Sequence, residues 1–165
     1  MNHDILVAGV GNIFHGDDAF GVEVVQRLAR RALPPNVKVA DFGIRGYDLA
    51  YALMEPWELV ILVDALSRGQ PPGTLYTIEA AMPQDLAPQA GFDAHSLDPL
   101  AVLQLVSRLG GQLDRILVVG CEPASVELDQ DGRLGLSPPV EAALDEAIRI
   151  IETLIAGERS INSAA

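Results

Sequence analysis

The stretch Ile5-Leu6-Val7-Ala8-Gly9-Val10-Gly11-Asn12-Ile13-Phe14-His15-Gly16-Asp17-Asp18-Ala19-Phe20-Gly21 decides the fold. Its first six residues form a short, continuous apolar run, the mark of a buried strand. From Ala19 to Ala32, Phe20, Val24 and Leu28 recur on one stripe, which predicts a helix. A glycine-rich link between a buried strand and a helix is where open α/β sheets bind ligands. Most such links offer bare backbone amides to a phosphate. This one sets two carboxylates, Asp17 and Asp18, at the mouth of the helix. Two anions there repel phosphate and attract cations.

Working outward, the chain alternates strand and helix patterns. Val37 to Asp41 alternates like a second strand, and Gly43-Ile44-Arg45-Gly46 is a turn. Asp48 to Met54 reads as a short helix stopped by Pro56. Leu59 to Val63 is the most apolar strand, expected at the sheet centre, and Asp64 follows it. Thr74 to Ile78 is a fourth strand, followed by a long, loosely patterned segment from Ala80 to Ala94. A third helix opens around His95-Ser96-Leu97-Asp98-Pro99, with Ser96 as its cap. Ile116 to Gly120 is the fifth strand, and Val126 to Leu136 suggests a hairpin-like excursion. Ser137-Pro138 starts the last helix, with Val140, Leu144, Ala147, Ile151 and Leu154 at helical spacing. The expectation is a single three-layer α/β domain over residues 1–158, with a flexible tail at 159–165. Its five-stranded twisted sheet is mostly parallel, with helices on both faces.

Composition narrows the function. At 165 residues and 49% hydrophobic, the chain is long enough for one real core. A net charge of −12 disfavours nucleic acid and anionic membrane as partners. No apolar run reaches a bilayer span and no basic-then-apolar leader opens the chain, so a cytoplasmic protein is expected. The acidic surface, with no apolar stripe outside the core, suggests a monomer when free. Cys121 stands alone, so no disulfide framework or cysteine metal cluster is available.

Three strands in succession lead to carboxylates: Asp18 past the first, Asp41 after the second, Asp64 after the third. If the first strand lies between the other two, all three acids face one crevice. A plain structural reading competes for each. One aspartate at a helix start caps it, and Asp17 is assigned that task, leaving Asp18 free. Asp64 can cap the next turn, but a charge ending the most buried strand calls for a partner or a metal. His15 and His95 are both placed to reach the crevice, and a loop histidine is ordinarily just polar surface. Two carboxylates and one imidazole suit a divalent first-row metal and leave an open coordination position. Cys121 reads as a small buried hydrophobe. Gly9, Gly11 and Gly16 match a dinucleotide loop poorly, so binding of a nucleotide or S-adenosylmethionine is the weaker alternative. A non-catalytic metallochaperone is the other.

The sequence resembles the hydrogenase maturation proteases, which trim the C-terminus of the nickel–iron hydrogenase large subunit. The resemblance rests on Gly9-Val10-Gly11-Asn12, Gly16-Asp17-Asp18-Ala19-Phe20-Gly21-Val22, Asp41-x-Gly43-x-x-Gly46-x-x-Leu49 and Val63-Asp64-Ala65. His95-Ser96-Leu97, Glu122-Pro123 and Gly135-Leu136-Ser137-Pro138 extend it. It implies a metal-binding and catalytic trio of Asp18, Asp64 and His95, with Asp41 as a candidate assisting acid. It also implies that nickel arrives with the large-subunit precursor as a recognition signal, and that no tightly held cofactor belongs to the enzyme. Cleavage would fall just after the precursor's C-terminal metal-binding cysteine motif. One departure stands out: the family's Gly-Thr-x-Gly turn is here Gly43-Ile44-Arg45-Gly46. Arg45 is thereby expected to pair with Asp41 or to meet an acid on the substrate.

Overall fold

The structure, a computed structural model, describes residues 4–84, 98–124 and 135–163, with backbone alone from 161 onward. Its strands are β1 (Ile5–Val10), β2 (Val37–Gly43), β3 (Leu59–Ala65), β4 (Leu75–Ala80) and β5 (Ile116–Cys121). Its helices are α1 (Phe20–Leu28), α2 (Gly46–Ala52), α3 (Pro99–Arg108) and α4 (Pro138–Ser163). One sheet runs β2-β1-β3-β5-β4, with β4 antiparallel to β5 and every other pair parallel. The most apolar strand, β3, is indeed central, and β1 lies between β2 and β3. The carboxyl ends of β2, β1 and β3 therefore share one edge of the sheet. The connection after β1 runs to β2 on one side and that after β3 runs to β4 on the other, and the crevice between them is where α/β sheets place ligands.

Side chains of β1, β3 and β5 alternate between two apolar layers, since successive residues point to opposite faces. Ile5 and Val7 meet Phe20, Val24 and Leu28 of α1 and Leu144, Ile148 and Ile151 of α4. Leu6, Ala8 and Val10 meet Leu49 of α2, Leu53 at its end, and Val102 and Val106 of α3. Arg27 bonds Glu141 at 2.8 Å and Arg31 reaches Glu152 at 3.1 Å, tying the α1 region along α4. Both pairs are partly exposed, so each is worth well under about 1 kcal/mol. The single tryptophan, Trp57, is buried just ahead of β3 and donates its indole N–H to the Ala52 carbonyl at 2.7 Å.

Several element bounds differ from the sequence reading. The first helix stops at Leu28, four residues short of the expected Ala32, so Arg30 and Arg31 lie in the turn beyond it. Its expected start is a separate 3-10 turn, Gly16–Ala19. Asp98, rather than Ser96, caps α3, accepting from Leu100 N at 3.0 Å with Pro99 in the first helical position. Ser96 and His95 lie outside the described residues, as does most of the expected hairpin. The last helix continues through Ser163, past residue 159 where the sequence suggests a tail. Glu158, toward the end of that helix, is held by Arg115 at 2.8 Å.

Candidate active site

Two glycines bring the 3-10 turn over the end of β1. Gly11 has φ +138°, and a Cβ built on it would lie 1.8 Å from the Asp18 carbonyl oxygen. Only glycine leaves room for the turn to fold back this closely. Gly21 does the same for α1: a Cβ there would meet Val63 O at 2.0 Å and Val10 O at 2.4 Å. The helix start thus rests directly on the backbones of β1 and β3. This close approach is what brings Asp18 next to Asp64, and it explains the glycines without any phosphate.

Asp18 Oδ2 accepts from Asn12 N at 2.8 Å, and no hydrogen bond reaches its other oxygen among the described residues. Asp64 closes the buried run of β3, and its Oδ1 accepts from Ala65 N at 2.8 Å. Its second oxygen is likewise unengaged among the described residues. Each carboxylate is therefore steered by one backbone N–H and keeps one oxygen for something else. Burial raises the Asp64 pKa well above its ordinary value, and repulsion from Asp18 raises it further. The Ala65 N–H opposes this, and Asp98 adds a smaller push upward. A mutually repelling carboxylate pair with Asp64 buried and Asp18 half-buried is a strong acceptor for a cation.

Asp41 stands at the same sheet edge, opposite Gly9 in the β1–β2 register. Its Oδ1 accepts from Gly43 N at 2.8 Å, and Gln26 reaches Oδ2 only at 3.3 Å. Arg45 does not pair with the Asp41 carboxylate. It donates to the backbone carbonyls of Asp41 and Phe42 and pairs with Asp48 at 3.6 Å, so it braces the end of β2. His15 is exposed, at the start of the 3-10 turn. Among the described residues no group of three His, Cys, Asp or Glu side chains is arranged to hold a metal ion. The described part of the proposed trio is thus Asp18 and Asp64.

Asp17 is not the cap of its own helix. Neither the 3-10 turn nor α1 has a side-chain cap. Its carboxylate instead accepts from Ser137 N at 2.7 Å, Ser137 Oγ at 2.8 Å and Ala124 N at 2.8 Å. The capping chemistry is right and the helix is wrong: Asp17 serves the N-terminus of α4, 120 residues away in sequence. With three donors on its two oxygens, it is a poor candidate for a base.

A second buried acid, Glu122, organises the opposite rim, and its part in the site was not foreseen from sequence. It accepts from Arg68 N at 2.8 Å, Gly69 N at 3.0 Å and the Tyr76 hydroxyl at 2.6 Å. The Tyr76 hydroxyl is the main cause holding its pKa below the ordinary 4.5; burial opposes, and N–H groups of Arg68, Gly69 and Gln70 assist. Glu122 thereby fixes the loop that leaves Asp64 toward β4. The signals in sequence were a carboxylate directly after a wholly apolar strand and the Glu122-Pro123 match in the family resemblance, neither of which shows what Glu122 holds. Cys121, just before it, is buried, and burial with the nearby Asp17 and Glu122 charges lifts its thiol to about 11, the Gly73 N–H opposing. That is an inert core thiol, as the sequence suggested.

A sequence profile described as hydrogenase maturation protease matches residues 22–154. The chain belongs to the hydrogenase maturation protease family. Within that family, it is 34% identical over 154 residues to the hydrogenase expression/formation protein HupD of Rhodobacter capsulatus, covering 88% of this chain and 70% of that one. It is 32% identical over 153 residues to the coenzyme F420 hydrogenase subunit delta of Methanothermobacter thermautotrophicus, covering 90% and 92%. The fold matches the hydrogenase maturating endopeptidase HybD from E. coli with a TM-score of 0.75, 30% identity, and coverage of 96% and 94%. This maturation protease is therefore an enzyme of the peptide-hydrolase class on a single α/β domain with a mostly parallel five-stranded sheet. Among the described residues, no helix is long and apolar enough to cross a membrane.

Proposed function

We propose that this enzyme removes the C-terminal extension of a nickel-loaded [NiFe]-hydrogenase large-subunit precursor, and that the precursor's own nickel is what it recognises. The observation that carries this reading is the Asp18–Asp64 pair. Each acid is aimed by one backbone N–H and keeps one oxygen unengaged among the described residues, at the carboxyl ends of neighbouring strands. Burial and the Asp18 charge disfavour ionised Asp64 in the free protein. A divalent cation presented by the substrate relieves both penalties at once, so binding is selective for loaded precursor. His95 completes the ligand set, as an imidazole suited to nickel.

Docking through the substrate's metal would fix the adjacent peptide bond against the crevice, and water then attacks its carbonyl carbon. A base must take the proton from that water and pass it to the amine nitrogen that departs as the C–N bond breaks, leaving a new C-terminal carboxylate. Asp17 is disqualified by its three donors, which leaves Asp41, one of whose oxygens holds only the long contact from Gln26. Nickel-loaded and nickel-free precursors are to be incubated with the enzyme and their masses followed. The loaded form is expected to lose a C-terminal peptide and the nickel-free form to stay intact. Asp18→Ala, Asp64→Ala and His95→Ala should each abolish the loss. Binding of loaded precursor without any shortening, across several hydrogenase classes, would replace the protease reading with a chaperone one. Full activity of His95→Ala would remove that residue from the set.

A further inference from the structure

We propose that Asp17 is a positioning residue for Asp18: it clamps the 3-10 turn to the N-terminus of α4 and to the exit of β5. The kinetic part of this inference rests on the endopeptidase reading; the structural part does not.

The 3-10 turn Gly16–Ala19 that carries Asp18 has little to hold it in place. It is four residues long, has no side-chain cap, and its local ties are His15 N to Asn12 O and Asp18 N to His15 O, both 3.1 Å, with Phe20 N to Asp17 O at its end. Short 3-10 segments have poor hydrogen-bond geometry and do not persist unsupported. Yet the site needs Asp18 held to a fraction of an ångström beside Asp64. The support comes from outside the turn. Asp17 Oδ1 takes Ser137 N, while Oδ2 takes both Ser137 Oγ and Ala124 N. The Ser137 carbonyl accepts Glu141 N, the first bond of α4, so the clamp grips the helix at its opening turn. That end of a helix presents unpaired N–H groups and a partial positive charge, both of which favour an anion. Gly16 packs there too: a Cβ on it would sit 3.9 Å from Gly135 O. On the other side the adjacent residue is tied back to the link just after β1, because Asp18 accepts from Asn12 N. Successive aspartates thus divide the work. Asp17 faces the α4 frame and Asp18 faces the crevice.

Asparagine is the informative replacement at position 17. It keeps the volume but turns one acceptor into a donor facing an N–H, so the clamp cannot close as before. In Asp17→Asn, amide exchange at Asn12, Asp18 and Ser137 is expected to quicken at least tenfold, with β3 amides unchanged. Processing of nickel-loaded precursor should lose at least tenfold in kcat. Ser137→Ala, which removes one of three donors, should show a smaller version of both effects, and Ser137→Thr, which keeps the hydroxyl, should restore them. This pair decides the matter even if Asp17→Asn fails to fold. Unchanged exchange at Asn12 and Asp18 would overturn the clamp. Faster exchange with wild-type kcat would overturn its positioning role. If wild-type enzyme shortens no loaded precursor, the endopeptidase reading falls, and the exchange rates still decide the clamp.

Discussion

Asp64→Asn is expected to make the free enzyme more stable while ending its activity. Asparagine keeps the Oδ1 acceptor for Ala65 N but never ionises, so it escapes both burial of a charge and repulsion from Asp18. The folded pKa of Asp64 lies above its ordinary 3.8. Between those two values the folded chain binds a proton that the unfolded chain has released. Wild-type stability from this group therefore falls as pH rises through that window, and the deficit is complete above the folded pKa. Linkage fixes the slope at about 1.4 kcal/mol per pH unit where the difference is one full proton. For a domain of this size that is roughly 3–6 °C in Tm per pH unit. Urea unfolding of wild type and variant from pH 4 to 7.5 measures it. Near pH 4 the two should be almost equally stable, since Asp64 is neutral in the fold. Toward pH 7 the variant should pull ahead. Subtracting the curves cancels Glu122, whose lowered pKa acts in the opposite sense and costs stability as pH falls below 4.5. Two parallel curves, or a variant less stable at pH 7, would refute the reasoning. Removing precursor cleavage while gaining stability would mark Asp64 as a site that trades stability for function.

Three further tests bear on the frame around the site. Glu122→Gln replaces one acceptor oxygen with a donor, leaving the N–H of either Arg68 or Gly69 unpaired, so hydrogen exchange should report faster opening of the β3–β4 loop, with β1 unaffected. Gly21→Ala forces a methyl against Val63 O and Val10 O and should cost about 3 kcal/mol in denaturant unfolding, whereas Gly157→Ala, inside α4 with open space around it, should gain about 1 kcal/mol. Cys121, lifted from 9.0 to about 11, holds roughly a hundredfold less thiolate than a free thiol, so alkylation at pH 8 should proceed only when the protein is unfolded.

Much of the frame was readable because it depends on local pattern. Apolar runs alternating with helical stripes specify a doubly covered sheet, and acids directly after strands one, two and three converge once β1 lies between β2 and β3. What stayed hidden depends on distant partners. A cap is inferred from neighbours in sequence, so Asp17 was assigned to the helix it precedes, while its donors lie 107 and 120 residues on. Arg45 next to an acid suggests an ion pair, but the tight turn at Gly43 puts backbone carbonyls within its reach first. The antiparallel direction of β4 leaves no trace in composition, because an edge strand with half-buried residues reads alike either way. Glu122 looked like a polar end to a strand, and its role appears only with the loop folded over it.

Trp57 gives the molecule a built-in optical reporter. It is the sole tryptophan, sealed beneath α2 at the amino ends of the strands, with Lys38 5.9 Å above its ring. The carboxylates occupy the other end of the sheet. Its emission should therefore track loss of the global fold and remain silent when substrate docks, so the melting of a variant and its failure to engage precursor can be read in separate channels from one unlabelled sample.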